Sequence, residues 1–313
     1  MKSSNIGGQA VMEGIMMRSG DQYSIGVRKP DGEIEVKVEP YRSWAKDSSI
    51  WKLPVFRGVA SFFESLVVGI RCLMYSASFI EDEEEDAKKP GKEKTEEQKE
   101  KEEKWLMYGT MTFSVIFSIA LFIMLPYFLA GFLRNVTTSE GVIAVAEACV
   151  RMILFLGYLV LISRMKDIQR VFMYHGAEHK CINCIEHGME LNVENVLKSS
   201  RLHKRCGTSF LFIVMIVSII FFLFIRIESP IWRVVFRLLL IPVIAGVSYE
   251  FIRLAGKSEN KLVILLSKPG MMLQKLTTRE PDASMAEVAI ASVEAVFDWR
   301  AYLKENFGWQ EKV

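Results

Sequence analysis

The sequence predicts a mainly α, polytopic helical membrane protein with about four transmembrane helices, a small N-terminal β-hairpin region and a cytoplasmic C-terminal helix. Three observations carry that expectation. Half of the 313 residues are apolar while 24% are charged, so long uncharged segments must alternate with charged ones. The mean hydropathy is positive. Four apolar segments, 106–133, 141–163, 208–225 and 234–252, are each long enough to cross roughly 30 Å of hydrocarbon. The same numbers exclude other classes. A formal net charge of +2 is too small for a nucleic-acid binder. Five cysteines, an odd number without framework spacing, fit free thiols in a reducing compartment. The first residues, MKSSNIGGQAVMEG, lack an apolar core of signal-peptide length.

Residues 1–50 form the expected N-terminal cytoplasmic region. Gly7, Gly8, Gly14 and Gly20 allow tight turns, and neither Gly-x-Gly-x-x-Gly nor a Walker pattern is present, so residues 1–20 read as a structural loop. Ser24–Lys29 and Glu33–Val38 alternate apolar and polar residues around Pro30-Asp31-Gly32, which predicts a hairpin with one face half buried. Residues 51–80 are apolar but carry Arg57, Glu64 and Arg71. At seven-residue spacing these drift only about 20° per step on a helix and share a face. An amphipathic helix at the interface, or packed on the bundle, is expected. Residues 81–104 are a charged linker, with Glu97/Lys101 and Glu100/Lys104 in the favourable helical order, able to run on into the membrane as a helix.

Residues 105–163 hold the first two spans, the first anchored by Trp105 and the second carrying Glu147 and Arg151, which at i, i+4 can neutralise one another. Residues 207–254 hold the other two, the last with Pro242 and Gly246 inside and Glu250 near its end. The connection 164–206 between the pairs carries eight lysines and arginines, whereas the other two connections carry one and two. The positive-inside rule therefore places both termini and this connection in the cytoplasm, on the cytoplasmic (inner) membrane. In 255–313, Asn260–Leu276 reads as a surface-lying segment broken at Pro269-Gly270. A capping box at Ser284/Glu287 then starts a helix of about 20 residues, with Val288, Ala291, Ala295, Trp299 and Leu303 on one face.

All four histidines, His175, His179, His187 and His203, lie in the 164–206 connection with Cys181, Cys184 and Cys206. His175-Gly-Ala-Glu178-His179 has the H-x-x-E-H order of inverzincin metallopeptidases. If the second span's helix continues, His175 and His179 share a face, as two imidazoles on one zinc require, with Glu178 beside them as the catalytic base. A third ligand is needed. His203 and Cys206 return to the same membrane surface and are the preferred candidates, ahead of Glu186 and His187. Cys181 and Cys184 form a C-x-x-C without a second one, which favours ordinary reduced thiols.

GGQAVMEGIMMR, YHGAEHK, RLHKRCGTSF, GVSYE and LTTREPD together resemble the YqhQ-like family of bacterial polytopic membrane proteins, over nearly the whole chain. The resemblance implies the description these proteins carry, a predicted metal-dependent enzyme. It marks His175, Glu178, His179, His203, Cys206, Glu250 and the Gly8–Glu13–Arg18 region. The chain departs from the family pattern at Cys181 and Cys184, where other members usually lack cysteine, and at Lys204, where proline is usual. The first departure counts against redox use of the C-x-x-C. The expectation is a cytoplasm-facing, metal-dependent hydrolase at the bilayer, with a divalent metal, zinc by its donors, at His175, His179 and His203 or Cys206. Its substrate would be a membrane protein, a peptide or a lipid. The alternative is a non-enzymatic scaffold, assembly or quality-control factor, or a conduit.

Overall fold

The computed structural model describes residues 2–43, 49–86, 96–224, 227, 229–257 and 260–310. The middle of the charged linker lies outside them, as do the side chains of the Glu97/Lys101 and Glu100/Lys104 pairs. Five helical segments are long and apolar enough to cross a membrane: Phe56–Phe79, Tyr108–Asn135, Glu140–Ile162, Gly207–Phe224 and Ile231–Gly256. That is one candidate more than the expected count of about four. The extra candidate is the segment read as amphipathic, and two of its three charges are matched. Arg57 pairs with Glu250, Nε to Oε1 at 2.6 Å, and Glu64 accepts from Tyr41 at 2.5 Å and Ser43 at 2.9 Å.

The chain divides into two compact units. The first comprises Met1–Glu83, Leu161–Val217 and Pro242–Val313, and the second Glu84–Val160 and Ser218–Ile241. The first contains an antiparallel meander, β1 (Gly7–Val11), β2 (Gly14–Ser19), β3 (Gln22–Arg28) and β4 (Ile34–Pro40), in sequence order. The expected hairpin is β3–β4. The expected loop before it is a second hairpin, β1–β2, turning at Met12-Glu13 with Glu13 at φ 49°. Apolar residues at Val11, Ile15, Met16 and Met17 give that stretch enough buried surface to form strands.

Helix α1 (Phe56–Asp86) covers one face of the sheet, where Cys72, Val68, Tyr75 and Phe79 meet Val11, Met16, Tyr23, Ile25 and Val27. On the other face Ile15 and Met17 pack with α5 (Lys166–Glu186) and α10 (Ala283–Glu294). Both faces of β3 are therefore buried, rather than one. Fully burying a side chain the size of Ile15 contributes about 1.5–3 kcal/mol, which is why the sheet recruits both layers.

Helix α4 (Glu140–Ile162) does not run on into α5. Residues 163–165 interrupt them, and Arg279 Nη2 donates to the carbonyl of Ser163 at 2.9 Å. After α6 (Val193–Lys198), α7 (Gly207–Phe224) and α8 (Pro230–Lys257) comes α9 (Lys261–Thr277), which continues through Pro269 unbroken. Gly270 lets α9 lie against Ser209 of α7, since a Cβ there would sit 3.1 Å from the Ser209 Cβ. The expected C-terminal helix is two helices. Asp282, not Ser284, caps α10 by accepting from Met285 N–H at 3.0 Å. Asp298 caps α11 (Trp299–Phe307) by accepting from Ala301 N–H at 2.9 Å. The break leaves Ala295 exposed, while Val288, Trp299 and Leu303 stay in the core. In the second unit, α2 (Glu96–Ile119) runs helically into the apolar segment, followed by a π-helical turn at Ala120–Met124 and α3 (Leu125–Gly131).

Candidate functional site

Helix α5 is the spine of the site. Its residues Tyr174, Ala177, Cys181, Ile182, Cys184 and Ile185 face the apolar core, which fixes its rotation. The remaining face then meets two chain segments, Leu197–Cys206 and Thr277–Pro281. Gly176 makes the second meeting possible, because a Cβ there would collide with the Arg279 carbonyl oxygen. The main chain is tied down at the same point, Arg279 N–H donating to Phe172 O at 2.8 Å.

The first segment is held by side-chain donors of α5. Lys180 Nζ donates to Leu197 O at 2.7 Å and Ser199 O at 2.8 Å, and Asn183 Nδ2 donates to Ser200 O at 2.7 Å and Leu202 O at 3.0 Å. Gln274 of α9 closes the turn, accepting from His203 N–H at 2.9 Å and donating to His203 O at 2.8 Å. These bonds fix where Cys206 emerges, immediately before α7.

His175, His179 and Cys206 come together, each offering one ligand-type atom and all three atoms within 4.8 Å of one another. His175 Nδ1 donates to Thr277 O at 2.8 Å, and His179 Nδ1 donates to Arg201 O at 2.7 Å. A carbonyl can only accept, so both Nδ1 atoms carry the proton and both Nε2 atoms present lone pairs. This is the outer-shell arrangement that orients metal-ligating histidines. His175 Nε2 stands 3.3 Å from Cys206 Sγ, and Thr208 N–H points at the same sulfur at 3.4 Å. Burial lowers the His179 pKa, against the raising effect of the Cys206 hydrogen bond, so its ring favours the neutral, ligand-competent form.

His203 is not part of this group. Its Nε2 faces Glu186 Oε2 at 3.3 Å and its Nδ1 accepts from Arg205 N–H at 3.3 Å, so both ring nitrogens are engaged elsewhere. Of the two expected third ligands, only Cys206 stands with His175 and His179. Glu186 also accepts from Ser4 N–H at 2.8 Å, Ser4 Oγ at 2.9 Å and Arg205. His187 is exposed and bonds Asn183 O at 2.7 Å. Cys181 and Cys184 are buried, and burial raises both thiols, Cys184 to about 11, so neither is a thiolate near neutral pH.

Glu178 is 5% exposed and its Oε2 has no hydrogen-bond partner. Its carboxyl lies flat against β1, where a Cβ on Gly8 would stand 2.8 Å from Glu178 Cγ and 2.9 Å from Oε1. Burial pushes its pKa up to about 7, and nearby His175 pulls the other way. The carboxyl is outside the three-atom group.

Fold and site together define a multi-pass helical membrane protein whose sheet-and-helix unit carries a His/His/Cys group. The chain belongs to the family described as protein of unknown function (DUF1385), whose profile matches residues 53–299. It is 37% identical over 303 residues to the uncharacterized protein YqhQ of Bacillus subtilis (strain 168), across 96% of this chain and 94% of that one. No solved structure matches. Neither description names a metal or a reaction, so the comparisons do not support the expected metal-dependent label.

Proposed function

We propose that the protein is a metal-dependent hydrolase at the membrane, with a zinc-class ion held by His175 Nε2, His179 Nε2 and Cys206 Sγ. The observation that carries this reading is the convergence of those three atoms with both imidazoles locked in the ligating tautomer. Tetrahedral zinc bonds of about 2.0 Å to nitrogen and 2.3 Å to sulfur put neighbouring donors about 3.5 Å apart. The His175–Cys206 separation of 3.3 Å is close to that. Two imidazoles and a thiolate suit zinc, and three ligands leave the open position that catalysis needs. An ion there would supply Lewis-acid polarisation of a bound water. Glu178, adjacent to His179 and with an unpartnered Oε2, is the residue placed to take and return the proton. The substrate class is a membrane protein, peptide or lipid.

Metal analysis of the purified, full-length protein tests the reading. About one zinc per chain is expected in the unmutated protein, with loss of that metal in His175→Ala and His179→Ala and retention in His203→Ala and Glu178→Gln. Absence of stoichiometric metal from the unmutated protein would sink it. A second reading then takes over, favoured by the Cys206–His175 contact at the start of α7. There the helix N-terminus, Thr208 N–H and His175 would activate Cys206 as a nucleophile, as cysteine hydrolases do. Iodoacetamide would label Cys206 in that case despite its burial, and His175→Ala would slow the labelling of that residue.

Topology supports a cytoplasmic site at the inner membrane. The sheet, α5 and α10 share one core, so they occupy one side of the membrane. The helices Tyr108–Asn135 and Glu140–Ile162 already give an even number of crossings between the sheet and α5. On that parity α1 enters the membrane without crossing it. The lysine and arginine excess of 164–206 supports the cytoplasm as the shared side. Cysteine labelling of intact cells checks this: Ser49→Cys and Lys166→Cys should both be protected, and Thr137→Cys accessible.

A further inference from the structure

The second unit has a partly open cavity of about 620 Å³ whose lining carries four arginines, Arg134, Arg151, Arg233 and Arg237, against two glutamates, Glu140 and Glu147. All six belong to the segments Tyr108–Asn135, Glu140–Ile162 and Ile231–Gly256. Ionisable groups in such segments are costly and mark functional sites.

The charges do not cancel. Arg134 and Glu140 neutralise one another through two bonds, 2.5 and 3.1 Å, at the exposed edge. Glu147 is shared by two cations, accepting from Arg151 Nη2 at 2.6 Å and from Arg237 Nη2 at 2.9 Å. Arg237 is 5% exposed, and its Nη1 lies 2.7 Å from Glu147 Oε1 without an aligned hydrogen bond. Arg233 donates only to the Ile227 carbonyl, at 2.8 and 2.5 Å, and has no carboxylate partner among the described residues. The described lining therefore holds two positive charges in excess.

The cations are also held in place. Arg151 and Arg237 each lie 4.8 Å from the Phe222 ring centre, and Arg233 and Arg237 lie 5.3 and 5.5 Å from that of Tyr127. Arg151 Nε reaches Phe122 O at 3.2 Å, a carbonyl that Pro126, four residues on, has no N–H to serve. Helix α4 begins at this cavity, so its positive dipole end adds to the field. Ile143, Ile219 and Leu223 give the rest of the wall an apolar surface.

We propose that this cavity is a phosphate-binding site, with the guanidinium groups of Arg233 and Arg237 taking the phosphate oxygens. Planar forks matched to phosphate geometry, a described lining with four arginines against two glutamates, and an apolar wall fit a phosphate carried on a lipid or supplied free. The site is separate from the His/His/Cys group and does not depend on it.

The test is native mass spectrometry of the full-length protein in detergent, titrated with phosphatidylglycerol, with phosphatidylcholine or with inorganic phosphate. Preferential retention of phosphatidylglycerol, or a saturable phosphate adduct, is expected. Either should weaken about tenfold or more in Arg237→Gln and in Arg233→Gln, and remain in His175→Ala. Arg233 bonds only the Ile227 carbonyl and lies beside the Tyr127 ring, with no buried ion pair to lose, so Arg233→Gln decides the matter if Arg237→Gln fails to fold. Displacement of the lipid by inorganic phosphate identifies the headgroup as sufficient. Arginine-dependent lipid binding that phosphate does not displace identifies an amphiphile whose chains use the apolar wall. The proposal is overturned if neither phosphatidylglycerol nor phosphate binds selectively, or if binding is unchanged in Arg233→Gln.

Discussion

Helix α5 carries two buried glutamates that have opposite surroundings. Glu186, at its end, accepts from Ser4, His203 and Arg205, and each of its oxygens has a partner. Glu178, eight residues earlier, is packed against Gly8 with one oxygen unpartnered. Burial raises both carboxyls, but at Glu186 the His203 hydrogen bond, the Arg205 charge and the Ser4 N–H outweigh it and hold the pKa below the usual range. At Glu178 burial wins and the pKa rises to about 7. The first glutamate is a fastener that joins the N-terminus, α5 and the turn before α7. The second is kept in an environment that a purely structural carboxylate would not need.

The largest expected effect lies at Glu186. Glu186→Gln leaves His203 and Arg205 without their anion in a buried setting, which should destabilise the protein by about 3 kcal/mol, read from thermal unfolding in detergent. The pH dependence sharpens the contrast. A carboxyl with a depressed folded pKa contributes stability that is fully present above its unfolded value, 4.5, and is lost as pH falls through the folded value. The unmutated protein should therefore lose stability on acidification below about 4.5, and Glu186→Gln should lose less over the same window. Equal acid slopes in the two proteins would remove Glu186 from the role of fastener.

Much of this site was legible in the sequence, and the rest was not for identifiable reasons. His175 and His179 share a face because i, i+4 spacing does so on any helix, and Cys206 is expected near them because all three lie in one connection between two apolar segments, 140–162 and 207–224. What orients them is invisible in a sequence: the carbonyls of Thr277 and Arg201 belong to the backbone and carry no residue signature. His203 was equally eligible by spacing, and only the Glu186 network withdraws it. The glycine-rich start read as a loop because its glycines outnumber its strand formers. Gly8 and Gly14 are instead close-packing positions, against Glu178 and the β3 backbone respectively. In the membrane segments the i, i+4 pair of Glu147 and Arg151 was readable. Arg237 lies inside an apolar run, and its meeting with Glu147 is a contact across 90 residues that no local pattern reveals.

The smallest effect isolates Glu178 from its neighbours His175 and His179. Gly8→Ala places a methyl group within 3 Å of the Glu178 side chain, which is buried and has little room to yield. Overpacking of this kind costs about 1–3 kcal/mol. Glu178→Ala opens space at the same point and removes the unpartnered oxygen, so the double variant should lose less stability than the two single changes summed. A coupling of about 0.5–3 kcal/mol is the expected size for residues in contact, measured as a double-mutant cycle by thermal unfolding. Neither change touches His175, His179 or Cys206, so metal content should stay at the unmutated value in all three variants. Additive stabilities would mean that Gly8 does not shape the Glu178 environment. Loss of metal in Gly8→Ala alone would mean that the β1 contact sets the ligands rather than the carboxyl, and the division between fastener and poised acid would have to be redrawn.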